Sequence, residues 1–269
     1  MISIIIPTLN EEKFLPHLLT SLTQQSECDF EVIVVDGNSK DKTVDVAQSF
    51  QKKLPKLTVL KSPPGVSRQR NLGASKATGE WLVFIDADSV LLPYFFDRLT
   101  NFIQERKPKH FTTWFKPDSE VSGDALFVLI GNLFIEGSVV FHRPIAPGPL
   151  VAVTHEVFDK VHGFDETLAF GEDYDFTRKI DAMHIPLQIL RETLYVYSLR
   201  RVRSEGKIGF IQLYARASVL VFLTKRNLRN VPGYITGGHL YNLKKKPIKR
   251  SVIRQYEMRL RSLIKEFFE

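Results

Sequence analysis

The chain has 269 residues, 43% of them hydrophobic, with 37 Lys and Arg against 30 Asp and Glu and a formal net charge of +7. This composition excludes collagenous, low-complexity and disordered chains, and the length suffices to bury a core without disulfides or a structural metal. Cys28 is the only cysteine, which excludes an intrachain disulfide and any multi-cysteine zinc or iron–sulfur centre and favours a reducing, cytoplasmic address.

In chain order, residues 2–6 are a continuous apolar, β-branched run of the kind shown by a strand buried on both faces. No secretory leader is expected ahead of it. Asn10 stands where a helix N-cap belongs, and Phe14, Leu15, Leu18, Leu19 and Leu22 form a stripe at helical spacing. A second strand is expected over 31–35, ending at Asp36-Gly37. A helix capped by Ser39 or Asp41 follows, then a short strand at 57–60, a small-residue helix over 65–77 and a fourth strand at 81–85. Strands alternating with helices predict right-handed crossovers and a mainly parallel sheet covered on both sides, with ligands at the carboxyl ends of the strands. The segments 7–11, 36–41 and 86–89 should therefore converge on one rim. Beyond Pro93 a helix and a strand over 110–115 are expected. The proline-rich stretch 143–150 reads as a loop over a site.

Two apolar stretches are long, 125–140 and 210–223. The first is broken by Gly131, Asn132, Glu136 and Gly137 and the second by Arg216. Neither supplies the roughly 18–20 uninterrupted apolar residues of a spanning helix, so no membrane span is expected.

Chemistry concentrates on the predicted rim. Asp86-Ala87-Asp88, at the end of a buried strand, offers two carboxylates suited to a hard divalent cation, which in turn neutralises a diphosphate. The turns Pro7-Thr8-Leu9-Asn10-Glu11 and Asp36-Gly37-Asn38-Ser39-Lys40-Asp41 can form one nucleotide pocket, with carboxylates accepting from a base N–H or ribose hydroxyls. Helix capping explains part of this pattern, but not the acidic groups on both turns. None of His142, His155 and His162 is assigned as a metal ligand.

Four motifs in order resemble the family 2 glycosyltransferases of GT-A fold. They are Ser3 to Glu11, Val34 to Thr43, Arg70-Asn71-Leu72-Gly73 and Asp86-Ala87-Asp88; Gly163-Phe164-Asp165-Glu166 and Gly171-Glu172-Asp173-Tyr174-Asp175 resemble that family's acceptor-side segment. The resemblance implies a GT-A (Rossmann-like) α/β catalytic domain over 1–205. Its nucleotide-sugar half would be about 1–90 and its acceptor half about 91–205, with a basic helical extension over 206–269. It implies a UDP- or GDP-sugar donor, a glycan or lipid-linked hydroxyl acceptor, a place in cell-envelope glycan synthesis and inversion at the anomeric carbon. By position, Pro7, Thr8, Glu11, Asp36, Ser39, Arg70, Asp86 and Ala87 would surround the nucleotide sugar. Asp88, with Asp86, would hold Mg²⁺ or Mn²⁺, and Asp173 would be the general base. Arg200 and Arg201, in the basic run Ser198 to Arg203, resemble the segment that stabilises the leaving diphosphate.

Val90 stands where the polyprenyl-phosphate branch often has Gln, and the Gln-x-x-Arg-Trp segment of processive synthases is lacking, which favours single addition. A sugar nucleotidyltransferase would need a Gly-rich loop after its first strand. A non-catalytic nucleotide-sugar binder or scaffold is the rival from another class, against which Asp86, Asp88 and Asp173 argue.

The net charge is unevenly spread. Residues 1–197 carry 20 Lys and Arg against 26 Asp and Glu, whereas residues 198–269 carry 17 against 4. A tail of that sign either meets an anionic membrane, at the inner face of the cell membrane, through 210–223 and the Lys244 to Arg250 cluster, or packs with 210–223 on the catalytic domain. Nucleic acid is not expected as a partner, because no recognition signature accompanies the basic residues.

Overall fold

The computed structural model describes residues 1–206 and 209, apart from 27, 28, 55 and 169. Cys28, the stretch 210–223 and the cluster at 244–250 lie outside the described residues.

Strands β1 (Ile2–Thr8), β2 (Phe30–Asp36), β3 (Leu57–Lys61) and β4 (Trp81–Ile85) alternate with helices α1 (Leu15–Thr23), α2 (Thr43–Ser49) and α3 (Val66–Ala74). Then come β5 (Val90–Leu91), α4 (Phe95–Arg106), β6 (His110–Pro117), α5 (Ser122–Val140), β7 (Leu150–Thr154), α6 (His155–Lys160), α7 (Glu172–Asp181), β8 (Gln188–Tyr197) and α8 (Arg200–Glu205). All eight strands join one sheet in the order β3-β2-β1-β4-β7-β6-β8-β5.

The apolar runs are continuous because each strand buries both faces. Ile4 and Ile6 of β1 join Val83 and Ile85 of β4 beneath α1 and α4, where Leu15, Leu18, Phe95, Phe96 and Leu99 complete one core. Ile5, Leu82 and Phe84 point the other way, into a second core with Val151, Phe158, Phe164 and Phe176. α3 lies close on the sheet because it presents Gly73 there: a Cβ at that position would come 2.5 Å from Ile5 Cγ2.

β1 through β4 pair in parallel, as expected, but the second half is mixed. β7 runs antiparallel to both β4 and β6, while β6 and β8 are parallel. The direction of β7 matters, because it sets Leu150 beside Ile85. The start of β7, with the loop before it, thus reaches the same rim as the end of β4.

Three local expectations are corrected. α1 begins at Leu15, not after Asn10. Asn10 takes a left-handed conformation (φ 56°), which asparagine tolerates, and ties two turns together: its N–H donates to Ser39 Oγ (2.8 Å) and its Oδ1 accepts from Lys40 N (2.7 Å). α3 stops at Ala74 rather than 77. The stretch 125–140 belongs to one unbroken 19-residue helix, α5, long and apolar enough by length and composition to cross a membrane. Its polar interruptions all sit on the face that packs on the domain: Asn132 Nδ2 donates to Phe115 O (3.0 Å), and Glu136 takes a two-pronged pair from Arg191 at 2.9 Å each.

Candidate active site

β1 lies between β2 and β4, and its pairing with β4 ends at Ile5 and Phe84 while its pairing with β2 continues to Thr8 and Asp36. The strands part at their carboxyl ends, where the strand order switches direction, and a crevice for a ligand opens at such a point. Pro7 is tolerated inside β1 because it lies beyond the last β4 pair, where its missing N–H costs no ladder bond.

On the β2 side of the crevice, Asp36 is buried. Its Oδ2 accepts from Ser39 N (3.0 Å), whereas Oδ1 is buried without a hydrogen-bond partner among the described residues. Thr8 is also buried, and its hydroxyl donates to Val35 O (3.3 Å). Both turns are held from below by Gln69, a residue the sequence did not single out, whose Nε2 donates to Thr8 O and to Val35 O at 2.7 Å each. Gln69 packs so tightly under Gly37 that a Cβ there would lie 2.9 Å from its Oε1.

On the β4 side two guanidinium groups organise five carboxylates. Arg70, almost wholly buried on α3, donates to Asp86 Oδ1 (3.1 Å), to Glu172 Oε1 (3.2 Å) and to the carbonyl of Gly148 (2.9 Å), and lies over the Phe164 ring at 5.2 Å. The same Gly148 donates its N–H to Asp173 Oδ2 (2.8 Å). Arg70 thus joins the carboxylate after β4 to the pair that opens α7. Its neighbour Asn71 pins the other half, donating to Phe164 O and accepting from Phe164 N at 2.9 Å each. Three successive residues of α3 therefore hold the turns after β1 and β2, the rim carboxylates and the segment at Phe164.

The second guanidinium is Arg200. It makes a two-pronged pair with Glu11, at 2.6 and 2.5 Å, and its Nε lies 2.6 Å from Asp88 Oδ2. Phe14 leaves the expected core stripe to lie beneath this group, 4.5 Å from ring centre to guanidinium carbon. Arg200 stands at the rim as the partner of Glu11 and Asp88. Arg201 follows it on α8 and is half-buried. Arg203 is turned away toward Asp118 and Asp124, tying α8 to α5 and its preceding loop.

Burial dominates the acid–base behaviour. Asp88 is pushed up to about 7, first by burial and then by the charges of Asp86 and Glu11, with Arg200 opposing. Glu11 is raised for the same first reason, again against Arg200. Glu172 is pushed up to about 7 by burial and by the charge of Asp173 beside it, and burial raises Asp173 also. A further residue not anticipated is Tyr195 of β8: its hydroxyl is buried without a hydrogen-bond partner among the described residues and feels both Asp86 and Asp88. Tyr195 and Gln69 both sit in ordinary element interiors, so no local signal marks them.

Among the described residues, no group of three or more His, Cys, Asp or Glu side chains is arranged to hold a metal ion by itself. The rim instead presents Asp86 and Glu11 close enough to Asp88 to help raise it, a set of hard oxygen donors that suits a divalent ion sharing its coordination with a second anion.

Residues 3–126 match the family model described as Glycosyl transferase family 2. An uncharacterized glycosyltransferase of Haemophilus influenzae is 31% identical over 186 residues, covering 67% of this chain and 62% of that protein. The chain therefore matches less than two thirds of that relative's length. Among solved structures, S. aureus TarS 1–349 in complex with UDP-GlcNAc aligns with a TM-score of 0.60 at 23% identity, covering 74% of this chain and 58% of that one. The mannosyltransferase PcManGT from Pyrobaculum calidifontis, in complex with GDP-Man and Mn²⁺, aligns with a TM-score of 0.61 at 20% identity, covering 80% and 64%. At these identities the likeness to solved structures concerns the fold, which is the same mixed, mostly parallel sheet flanked by helices. Residues 3–126 therefore carry a glycosyltransferase family 2 segment, and the described residues share the GT-A fold.

Proposed function

We propose that the chain transfers a sugar from a nucleotide-diphosphate donor to a hydroxyl acceptor with inversion at the anomeric carbon. One observation carries the reading: Arg70 binds Asp86 on the donor rim and Glu172 on α7 at once, while Gly148 bridges Arg70 and Asp173. Donor-side and acceptor-side carboxylates are thereby held in one rigid frame, as attack across a single bond requires.

In this reading Asp36, through its unpartnered Oδ1, accepts from the base or ribose, with Ser39 shaping the same turn and Thr8 the neighbouring one. Asp86 and Asp88 would hold Mg²⁺ or Mn²⁺, which when bound offsets the charge of the diphosphate. Asp173 takes the proton of the acceptor hydroxyl as the new C–O bond forms and the bond to the diphosphate oxygen breaks, its electron pair leaving with the nucleotide. Burial suits Asp173 to this role by raising its affinity for a proton. Arg200, and with it Arg201, would offer positive charge to the departing diphosphate once the carboxylates have another counter-ion. UDP- and GDP-sugars are the donors of choice because TarS and PcManGT were solved with them. A glycan or lipid-linked alcohol is the acceptor class.

A screen of UDP-, GDP- and dTDP-sugars for metal-dependent transfer or hydrolysis tests the proposal. Turnover is expected with at least one donor, abolished by a chelator, by Asp88→Ala and by Asp173→Asn. If wild type and both variants behave alike with every donor and acceptor, the assignment fails.

A further inference from the structure

The outer face of α5 plays no part in the chemistry above. Leu126, Leu129, Ile130, Leu133 and Phe134 recur every three or four residues along it, and each is 51–64% exposed. The stripe continues to Val140 (71%) and Phe141 (78%), and His142 and Arg143 follow, both exposed. On the inner face, Asn132 and Glu136 are bonded to the domain, and Asp124 accepts from Ser119 Oγ (2.6 Å) and pairs with Arg203. Beyond Ser122 the polar side chains of the helix face inward beside Val128 and Ile135 and its outer face is apolar, unlike a helix on a water-facing surface.

We propose that this face docks α5 in the plane of a membrane, with its apolar stripe at the headgroup–acyl boundary of an anionic leaflet. Charge selects this occupant. α8 packs on α5 through Leu199, Val202 and Val128, and Arg203 reaches Asp124 in its first turn. The segment 207–269, with 14 Lys and Arg against 3 Asp and Glu, follows directly on α8. Acyl chains match the stripe and anionic headgroups match the tail, so one partner satisfies both features. A second copy seated on the stripe would instead bring two strongly cationic tails together. The helix lies in the plane rather than spanning, because crossing the bilayer would strip Asn132, Glu136 and Asp124 of their partners and leave them in hydrocarbon. At about 1.5 Å per residue the helix offers a contact roughly 28 Å long. It leads directly into the loop whose Gly148 touches Arg70 and Asp173, so docking would bring the rim to the leaflet. The docking itself stands whether or not the chain transfers sugar.

The test is co-flotation of the full chain with vesicles of phosphatidylcholine alone and of equal parts phosphatidylcholine and phosphatidylglycerol. Wild type is expected to float with the anionic vesicles, and Leu133→Glu with Phe134→Glu to lower the bound fraction at least about tenfold. Both side chains are exposed, so thermal unfolding of the double variant should match wild type. In a Cys28→Ser background, Phe134→Cys should react quickly with a water-soluble maleimide, and anionic vesicles should slow the reaction. Flotation of the double variant equal to wild type, or no flotation of wild type, overturns the proposal. So does slow labelling without vesicles, which would assign the face to residues 210–223 of the same chain or, if sedimentation shows a dimer lost in the double variant, to a second copy.

Discussion

Arg200 and Glu11 stand 189 residues apart in the chain, yet they form a two-pronged ion pair at 2.6 and 2.5 Å, and the same guanidinium reaches Asp88 at 2.6 Å. The helix that ends the described domain is thereby fastened to the turn after its first strand. All three side chains are mostly buried, so water screens the contacts little.

Arg200→Ala should cost about 3–5 kcal/mol of stability, because it leaves two buried carboxylates without their cation. Urea unfolding measures this loss. Mn²⁺ or Mg²⁺ should recover part of it, since a divalent ion would neutralise the same oxygens. Equal stability of variant and wild type would show that Glu11 and Asp88 find other partners.

Arg70→Lys keeps the charge and loses the planar fork. One ammonium cannot replace a guanidinium that serves Asp86, Glu172 and the Gly148 carbonyl together. Transfer should fall by about a hundredfold or more, mainly in kcat, because the frame rather than donor contact is damaged. A variant within a few-fold of wild type would show that the frame does not depend on the fork.

Glu172 makes stability depend on pH. Its carboxyl is raised from 4.5 to about 7 in the folded chain, so the folded state holds the proton more tightly. The stabilisation from this group is complete below its unfolded value and is lost as pH rises through about 7. The melting temperature of the metal-free protein should therefore decline across that window, and Glu172→Gln should flatten the decline. An unchanged slope in the variant would assign it to other carboxylates.

Gly148→Ala is a test of the site with little effect on the fold. The added methyl would lie 3.1 Å from a terminal nitrogen of Arg70, tight enough to move it, and at an ordinary contact distance of 3.5 Å from Asp173 Oδ2. Activity should drop about ten- to a hundredfold, with unfolding changed by less than about 1 kcal/mol.

Gly73→Ala should do the opposite. Its methyl would meet Ile5 Cγ2 at 2.5 Å and Val35 Cγ2 at 3.2 Å in the core. A loss of about 1–3 kcal/mol is expected from overpacking, read by urea denaturation.

The alternation of buried strands with amphipathic helices was legible in the sequence, because period and turn chemistry are local and the first four strands follow them closely. The acidic turns were legible for the same reason: they sit directly after apolar runs, at the strand ends where parallel sheets place ligands. Their convergence follows from topology, and Asn10, Ser39 and Lys40 now show it as direct hydrogen bonds. Gln69 and Tyr195 were not legible, since each becomes special only through what lies across from it.

By itself, the sequence determined the first four strands and the helices between them apart from their ends, which carboxylates follow those strands, and that the charge is divided between an acidic body and a basic tail. Only the tertiary structure decided that β7 runs antiparallel and brings Gly148 to the rim, that Arg70 serves both halves of the site, and that Arg200 closes onto Glu11. It also decided that the polar residues interrupting the apolar stretch of α5 all face inward and leave an apolar surface outside. The physical reason is common to these cases. Strand direction, and contacts between residues many positions apart, depend on which surfaces bury one another, and a local period of two or 3.6 residues carries no record of that.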